Sequence, residues 1–223
     1  MIRAVIFDFN GILADDDPIH MQALQRIAHE EGLTLTEEEY MDHYLPLNDQ
    51  DCFQELWKKS GRAMEVEKLQ QLIRRKSEYY FKAIDQRSVL FEGAPDAVRA
   101  AVGRGHVAIA SGASIGEIRH ILSSAGLLDC FSTIVAAEDV QRGKPDPEPF
   151  RLAFTRLQQS CADLQPGECL AVEDSLGGIR SAQSAGMPCL GVAHSYPRAR
   201  LAEARPDWVI DSISNFSDWL KTV

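Results

Sequence analysis

The sequence predicts an α/β protein: a doubly wound parallel sheet with an inserted helical lobe. Three observations carry this. The chain opens on a β-branched and aromatic run, IRAVIFDF (2–9), with no polar face. From residue 15 to about 90 the spacing is helical and no strand pattern appears. From residue 91 onward strand-like and helix-like segments alternate. Alternation implies βαβ units and a sheet covered on both faces. The opening run must join that sheet, because nothing in the helical stretch could pair with it. A Rossmann-like core is therefore expected over residues 1–14 and 91–223, and a helical lobe over 15–90.

Each element follows from local signals. Asp8-Phe9-Asn10-Gly11 ends the first strand in a sharp turn. Asp17-Pro18 reads as an N-cap followed by proline at the first helical position. Ile19, Ala23 and Ile27 then share a helical face, and Tyr40, Phe53, Leu56, Trp57, Leu72 and Tyr80 continue the apolar content of the lobe. After Gly93-Ala94-Pro95 come a strand over 106–111, a helix over 114–127, a strand over 131–136 and a helix over 147–157. A strand over 169–174, a helix over 175–186, strands over 188–193 and 208–210, and a C-terminal helix complete the chain.

Composition narrows the partners. Of 223 residues 45% are apolar, enough for a core, and the formal charge of −10 repels nucleic acid and anionic membranes. An anionic substrate then requires a local positive site. Cys52, Cys130, Cys161, Cys169 and Cys189 are widely spaced and odd in number, so they read as reduced and mostly core residues. No apolar stretch approaches the roughly 20 residues that span a bilayer, and the opening run is too short for a signal peptide. A cytoplasmic protein is expected, and a monomer, since both faces of the sheet are covered.

In an open parallel sheet, ligands bind beyond the carboxyl ends of the strands. The first strand delivers Asp8, Asn10 and Gly11 there, and the second Ser111 and Gly112. The loop after the third carries Lys144, and the fourth ends in Glu173, Asp174 and Ser175. Each has an ordinary alternative as a turn former, a helix cap or a solvated side chain. Together they form a chemical set. Asp8, Glu173 and Asp174 are the hard oxygen donors that Mg²⁺ takes. Lys144 and the Ser111 hydroxyl can donate to phosphate oxygens, and the amides at Gly11 and Gly112 can form an anion nest. A small phosphorylated substrate and Mg²⁺ are the expected ligands.

Four segments in order, FDFNGIL (7–13), IASGAS (109–114), GKPDPEPF (143–150) and VEDSLGGI (172–179), resemble the motifs of the haloacid-dehalogenase superfamily. The nearest branch is that of its phosphatases and beta-phosphoglucomutase-like proteins. The resemblance spans essentially the whole chain, and the lobe looks like that branch's α-helical cap domain. It implies that Asp8 is the nucleophile that becomes an aspartyl-phosphate. Ser111, with Gly112 behind it, would hold the phosphoryl group, and Lys144 would neutralise it. Asp8, Glu173, Asp174 and the main-chain carbonyl of Asn10 would hold Mg²⁺.

Asn10 departs from the pattern, which usually has aspartate there. An amide can neither protonate a leaving group nor activate water, help that is worth about 10²–10⁴-fold. Three explanations stand: a substituted variant that traps a state, an enzyme whose proton carrier lies elsewhere, or a phospholigand binder with little catalysis. His20 is the candidate carrier and substrate contact, histidine being the side chain that exchanges protons near neutral pH. A packed histidine beside Leu24 and Ile27 is the other reading. Asp15, Asp16 and Asp17 read as hinge and cap residues or further carriers. Mutases of the branch tend to hold a second phosphate with a cap arginine. Asp49, in LPLNDQDCF (45–53), stands where that residue would be, so a phosphatase ranks above a phosphomutase. Arg74, Arg75 and Lys76 read either as a substrate-facing basic cluster or as a solvated helix face. A dehalogenase would not need the Glu173-Asp174 pair.

Overall fold

The computed structural model describes residues 1–45, 47–85 and 88–223. Pro46 of the 45–53 segment, Gln86 and Arg87 lie outside the described residues. The chain forms two compact units, Met1–Asp15 with Val89–Val223, and Asp16–Ser88. The first begins with β1 (Ala4–Phe7). The second holds α1 (Asp17–Glu30), the single turn α2 (Glu37–Glu39) running into a π-helical segment at Tyr40–Tyr44, α3 (Asp49–Lys59) and α4 (Val66–Ile84). The first unit resumes with α5 (Ala94–Val102), β2 (His106–Ala110), α6 (Ile115–Ser124), β3 (Thr133–Val135) and α7 (Glu148–Gln158). It closes with β4 (Cys169–Glu173), α8 (Leu176–Ser184), β5 (Cys189–Val192), α9 (Arg198–Leu201), β6 (Trp208–Ile210) and α10 (Phe216–Leu220).

Among the described residues the strands form one six-stranded sheet in the order β3-β2-β1-β4-β5-β6. Every pairing is parallel. This is the doubly wound sheet that the alternation predicts, with its order reversing between β1 and β4. Successive side chains of β1 point to opposite faces. Ala4 and Ile6 pack with Phe150, Ala153 and Leu157 of α7 and with Ile179 and Ala182 of α8. Phe7 points the other way, its ring centroid 5.4 Å from that of Phe216 in α10, and α10 packs on α5. Both faces of β1 are therefore covered, which is why its sequence carries no polar alternation. Burying a side chain such as Phe7 stabilises the fold by roughly 1.5–3 kcal/mol.

The second unit has its own core. Leu24, Ile27 and Ala28 of α1 meet Phe53, Leu56 and Trp57 of α3 and Leu72 of α4, with Tyr40 and Tyr44 beside them. The start of α1 differs from the sequence reading. Its N-cap is Asp16, not Asp17, and the Asp16 side chain makes no capping bond. The carboxylate is fully buried and accepts the Tyr80 hydroxyl instead. Pro18 then stands at the second helical position, where an N–H has no intrahelical acceptor either. The cysteines are all free. No helix among the described residues is long and apolar enough to cross a membrane.

Candidate active site

Strand register assembles the site. Phe7 is level with Ile109 of β2 and Val172 of β4, so Asp8, Ser111 and Glu173-Asp174 leave three adjacent strands at one edge. The Asp8 N–H donates to Val172 O at 2.9 Å, extending the ladder by one residue. Its Oδ1 accepts the Phe9 N–H at 2.7 Å. Asp8, Glu173 and Asp174 each present a carboxylate oxygen within 4.8 Å of the others. Three anions this close, with Glu173 and Asp174 buried, are unfavourable without cations.

Lys144 supplies one positive charge. Its Nζ lies 2.8 Å from Asp8 Oδ1 and 2.5 Å from Glu173 Oε1. Among the described residues neither Lys144 Nζ nor Glu173 Oε1 has a hydrogen-bond partner of good geometry, so these contacts are ion pairs first. Burial works against the Lys144 charge, but Asp8 and Glu173 outweigh it and raise the lysine above its ordinary value. Burial also pushes Glu173 up to about 7, with Asp8 adding to the rise and Lys144 opposing it. One ammonium against three carboxylates leaves room for a further cation. The all-oxygen donor set and the unsatisfied Glu173 oxygen fit a hard divalent ion.

The carboxylates are not helix caps. Ser175 caps α8, its Oγ accepting the Gly178 N–H at 2.9 Å, and its own N–H and hydroxyl donate to Glu173 Oε2 at 3.3 and 3.1 Å. Two glycines make space for the acids. A β-carbon at Gly178 would lie 1.9 Å from Glu173 Cδ, and one at Gly11 (φ +75°) would lie 2.0 Å from Asp174 Oδ2.

Ser111 is buried, and its Oγ accepts the Ala113 N–H at 3.0 Å, which leaves the hydroxyl proton to donate elsewhere. Gly112 is exposed, with open space where a side chain would stand. The Gly11 amide does not serve as expected: it donates to Ala14 O at 2.9 Å because the 9–14 turn closes on itself. What Gly11 contributes is its close approach to Asp174. Asn10 is half-buried in that turn and bridges to Ala14.

His20 lies in the second unit. Its Nε2 is 3.3 Å from Asp16 Oδ2, its Nδ1 is 2.8 Å from Lys76 Nζ, and its ring stacks on Tyr80 at 4.3 Å. An ammonium only donates, so Nδ1 accepts and Nε2 carries the proton toward Asp16. Lys76 is 3% exposed and ion-paired with Asp49. It is thus on no solvated face, and Arg74-Arg75-Lys76 is not one cluster. Arg75 pairs instead with Glu30 and Glu31 at 2.5 Å each, and Arg74 is exposed. Consecutive helical residues point in different directions.

Two polar side chains at the site went unremarked in the sequence. Ser195 Oγ donates to Asp174 Oδ2, and His194 Nδ1 lies 2.8 Å from Gly11 O. Both follow β5, whose carboxyl end obeys the same strand-end rule as the others.

A family model described as haloacid dehalogenase-like hydrolase matches residues 2–186. The phosphoglycolate phosphatase of Yersinia pseudotuberculosis is 29% identical across 100% of this chain and 93% of its own length. The crystal structure of CbbY from Rhodobacter sphaeroides in complex with phosphate shares 24% identity over 96% of each chain, with a TM-score of 0.83. That of beta-phosphoglucomutase from Clostridium difficile shares 21% identity over 100% of this chain and 96% of its own, with a TM-score of 0.84. At those identities the two structures speak for the fold alone.

Proposed function

The chain belongs to the haloacid dehalogenase-like hydrolases, and from that premise we propose that it is a Mg²⁺-dependent phosphatase. It acts on a small phosphorylated metabolite through an aspartyl-phosphate on Asp8. The observation that carries this is the placement of Lys144 on Asp8 Oδ1 beside the carboxylates of Glu173 and Asp174. The phosphatase name of a full-length relative supports the reaction class.

In this reading the Asp8 carboxylate attacks phosphorus, and the bond from phosphorus to the substrate oxygen breaks. Lys144 and the Ser111 hydroxyl donate to the non-bridging oxygens, with Gly112 leaving room for them. Asp8, Glu173, Asp174 and the carbonyl of Asn10 would hold Mg²⁺. The ion supplies charge neutralisation for the phosphoryl oxygens, and such transfer is mostly positioning and charge stabilisation. Water then cleaves the acyl-phosphate. Asn10 cannot carry the protons of either half: the departing oxygen takes its proton from solvent, while the attacking water, which an amide cannot deprotonate, makes hydrolysis the slower half. The unit Asp16–Ser88 would serve as the specificity cap, with His20 as the alternative proton carrier. A phosphomutase is the weaker reading, because the buried Lys76 is already paired with Asp49. Free cysteines support a reducing, cytoplasmic setting, and a monomer suffices for this chemistry.

The test is a panel of phosphorylated sugars and small organic phosphates, phosphoglycolate included, assayed with Mg²⁺ and with EDTA. Wild type and Asn10→Asp are compared side by side. Turnover should need Mg²⁺ and should rise in Asn10→Asp by about 10²–10⁴-fold, while wild type accumulates phosphoryl-Asp8 by mass spectrometry. Equal turnover in the two proteins would sink the role given to Asn10, and full activity in EDTA would remove the metal.

A further inference from the structure

The end of β5 carries chemistry beyond the reach of the family match, which stops at residue 186. Gly191 of β5 is level with Glu173, so the residues after β5 emerge beside the carboxylate pair. Ser195 Oγ donates to Asp174 Oδ2. His194 spans two backbone groups. Its Nε2 accepts the Ile213 N–H at 3.2 Å, so Nδ1 carries the proton and donates to Gly11 O at 2.8 Å. Phe91 stacks on the imidazole at 4.1 Å and fixes its plane. Gly11 is held at its other end by the bond from its N–H to Ala14 O, and its Cα abuts the Asp174 carboxylate. The contacts close a ring: Ser195 holds Asp174, Asp174 lies against Gly11, and His194 holds Gly11.

We propose that His194 and Ser195 are positioning residues that set the Asp174 carboxylate and the Asn10–Gly11 turn for divalent-cation binding. The inference rests on the metal reading above. A carboxylate with one oxygen pinned by a hydroxyl presents the other in a fixed direction. A turn pinned at both ends of Gly11 presents the preceding carbonyl in the same way. Partners of metal-holding groups typically matter 10–100-fold in affinity. A merely structural staple would instead change stability and leave cation affinity alone.

The test titrates Mn²⁺ by electron paramagnetic resonance into wild type, Ser195→Ala, Ser195→Thr, His194→Leu and His194→Asn, with thermal unfolding in parallel. Ser195→Ala and His194→Leu should weaken Mn²⁺ by about 10–100-fold. Ser195→Thr keeps the hydroxyl and His194→Asn keeps a donor near the Nδ1 position, so both should recover most of that loss. In His194→Leu the Gly11 amide should also exchange with solvent faster. Wild-type Mn²⁺ affinity in both Ser195→Ala and His194→Leu overturns the proposal. If His194→Leu does not fold, Ser195→Ala, which loses only a hydroxyl, decides. Should wild type bind no Mn²⁺, the metal reading fails and the cation role of the pair fails with it. Unchanged Gly11 exchange in His194→Leu would then overturn its hold on the turn as well.

Discussion

Gly178 and Glu173 are in such close contact that a β-carbon at position 178 would lie 1.9 Å from the Glu173 Cδ. Helix propensity alone favours alanine over glycine by about 1 kcal/mol. Here the clash wins, because Glu173 is fully buried and its carboxylate has no free volume to enter. Gly178→Ala should therefore lower the melting temperature and weaken Mg²⁺ binding in calorimetry. A variant that melts higher and binds Mg²⁺ normally would show that the Glu173 side chain has another place to go.

Lys144 is the cation between Asp8 and Glu173. Lys144→Met keeps the apolar stem and removes the charge. Turnover should fall by at least about 10²-fold, the scale of losing one aimed donor at a developing anion. Lys144→Arg should not rescue it, since a planar fork does not fit a site built around a point charge. Steady-state kinetics of the three proteins at saturating Mg²⁺ checks this, and restored turnover in Lys144→Arg would contradict it.

The pH response of the metal-free protein follows from Glu173. Burial raises its carboxyl from 4.5 to about 7 in the folded state, so between those values the folded protein binds more protons than the unfolded chain. Stability must then fall as pH rises through that window. In EDTA the melting temperature should drop between about pH 5 and pH 8. Mg²⁺ should restore it at the upper end, because binding to the folded state alone stabilises it. A flat profile in EDTA would count against a protonated Glu173 in the metal-free site.

Asp49 and Lys76 make a different kind of pair, structural by this reading. Breaking a buried ion pair from one side costs about 3–5 kcal/mol. Asp49 keeps 30% of its side chain exposed, and Lys76 retains His20, so Asp49→Asn should cost about 2 kcal/mol in urea unfolding. Adding Lys76→Met should recover much of it, since an apolar side chain needs no partner there. An Asp49→Asn variant as stable as wild type would mean that His20 alone satisfies the ammonium.

What the sequence determined by itself was the six strands in their order along the chain and the acids at the strand ends. These are local signals. A strand buried on both faces is apolar along its length, so AVIF and CLAV announce themselves, and the acids that follow them stand out. Partnership is not local. Asp16 accepts from Tyr80 rather than capping its own helix, Lys76 is buried against Asp49, and Ser195 reaches Asp174. Only the tertiary structure decided these, and with them the raised Glu173 carboxyl and the closed turn at Gly11. A buried polar group must find whichever partner the packing brings within hydrogen-bond reach, and packing joins residues that no sequence spacing relates.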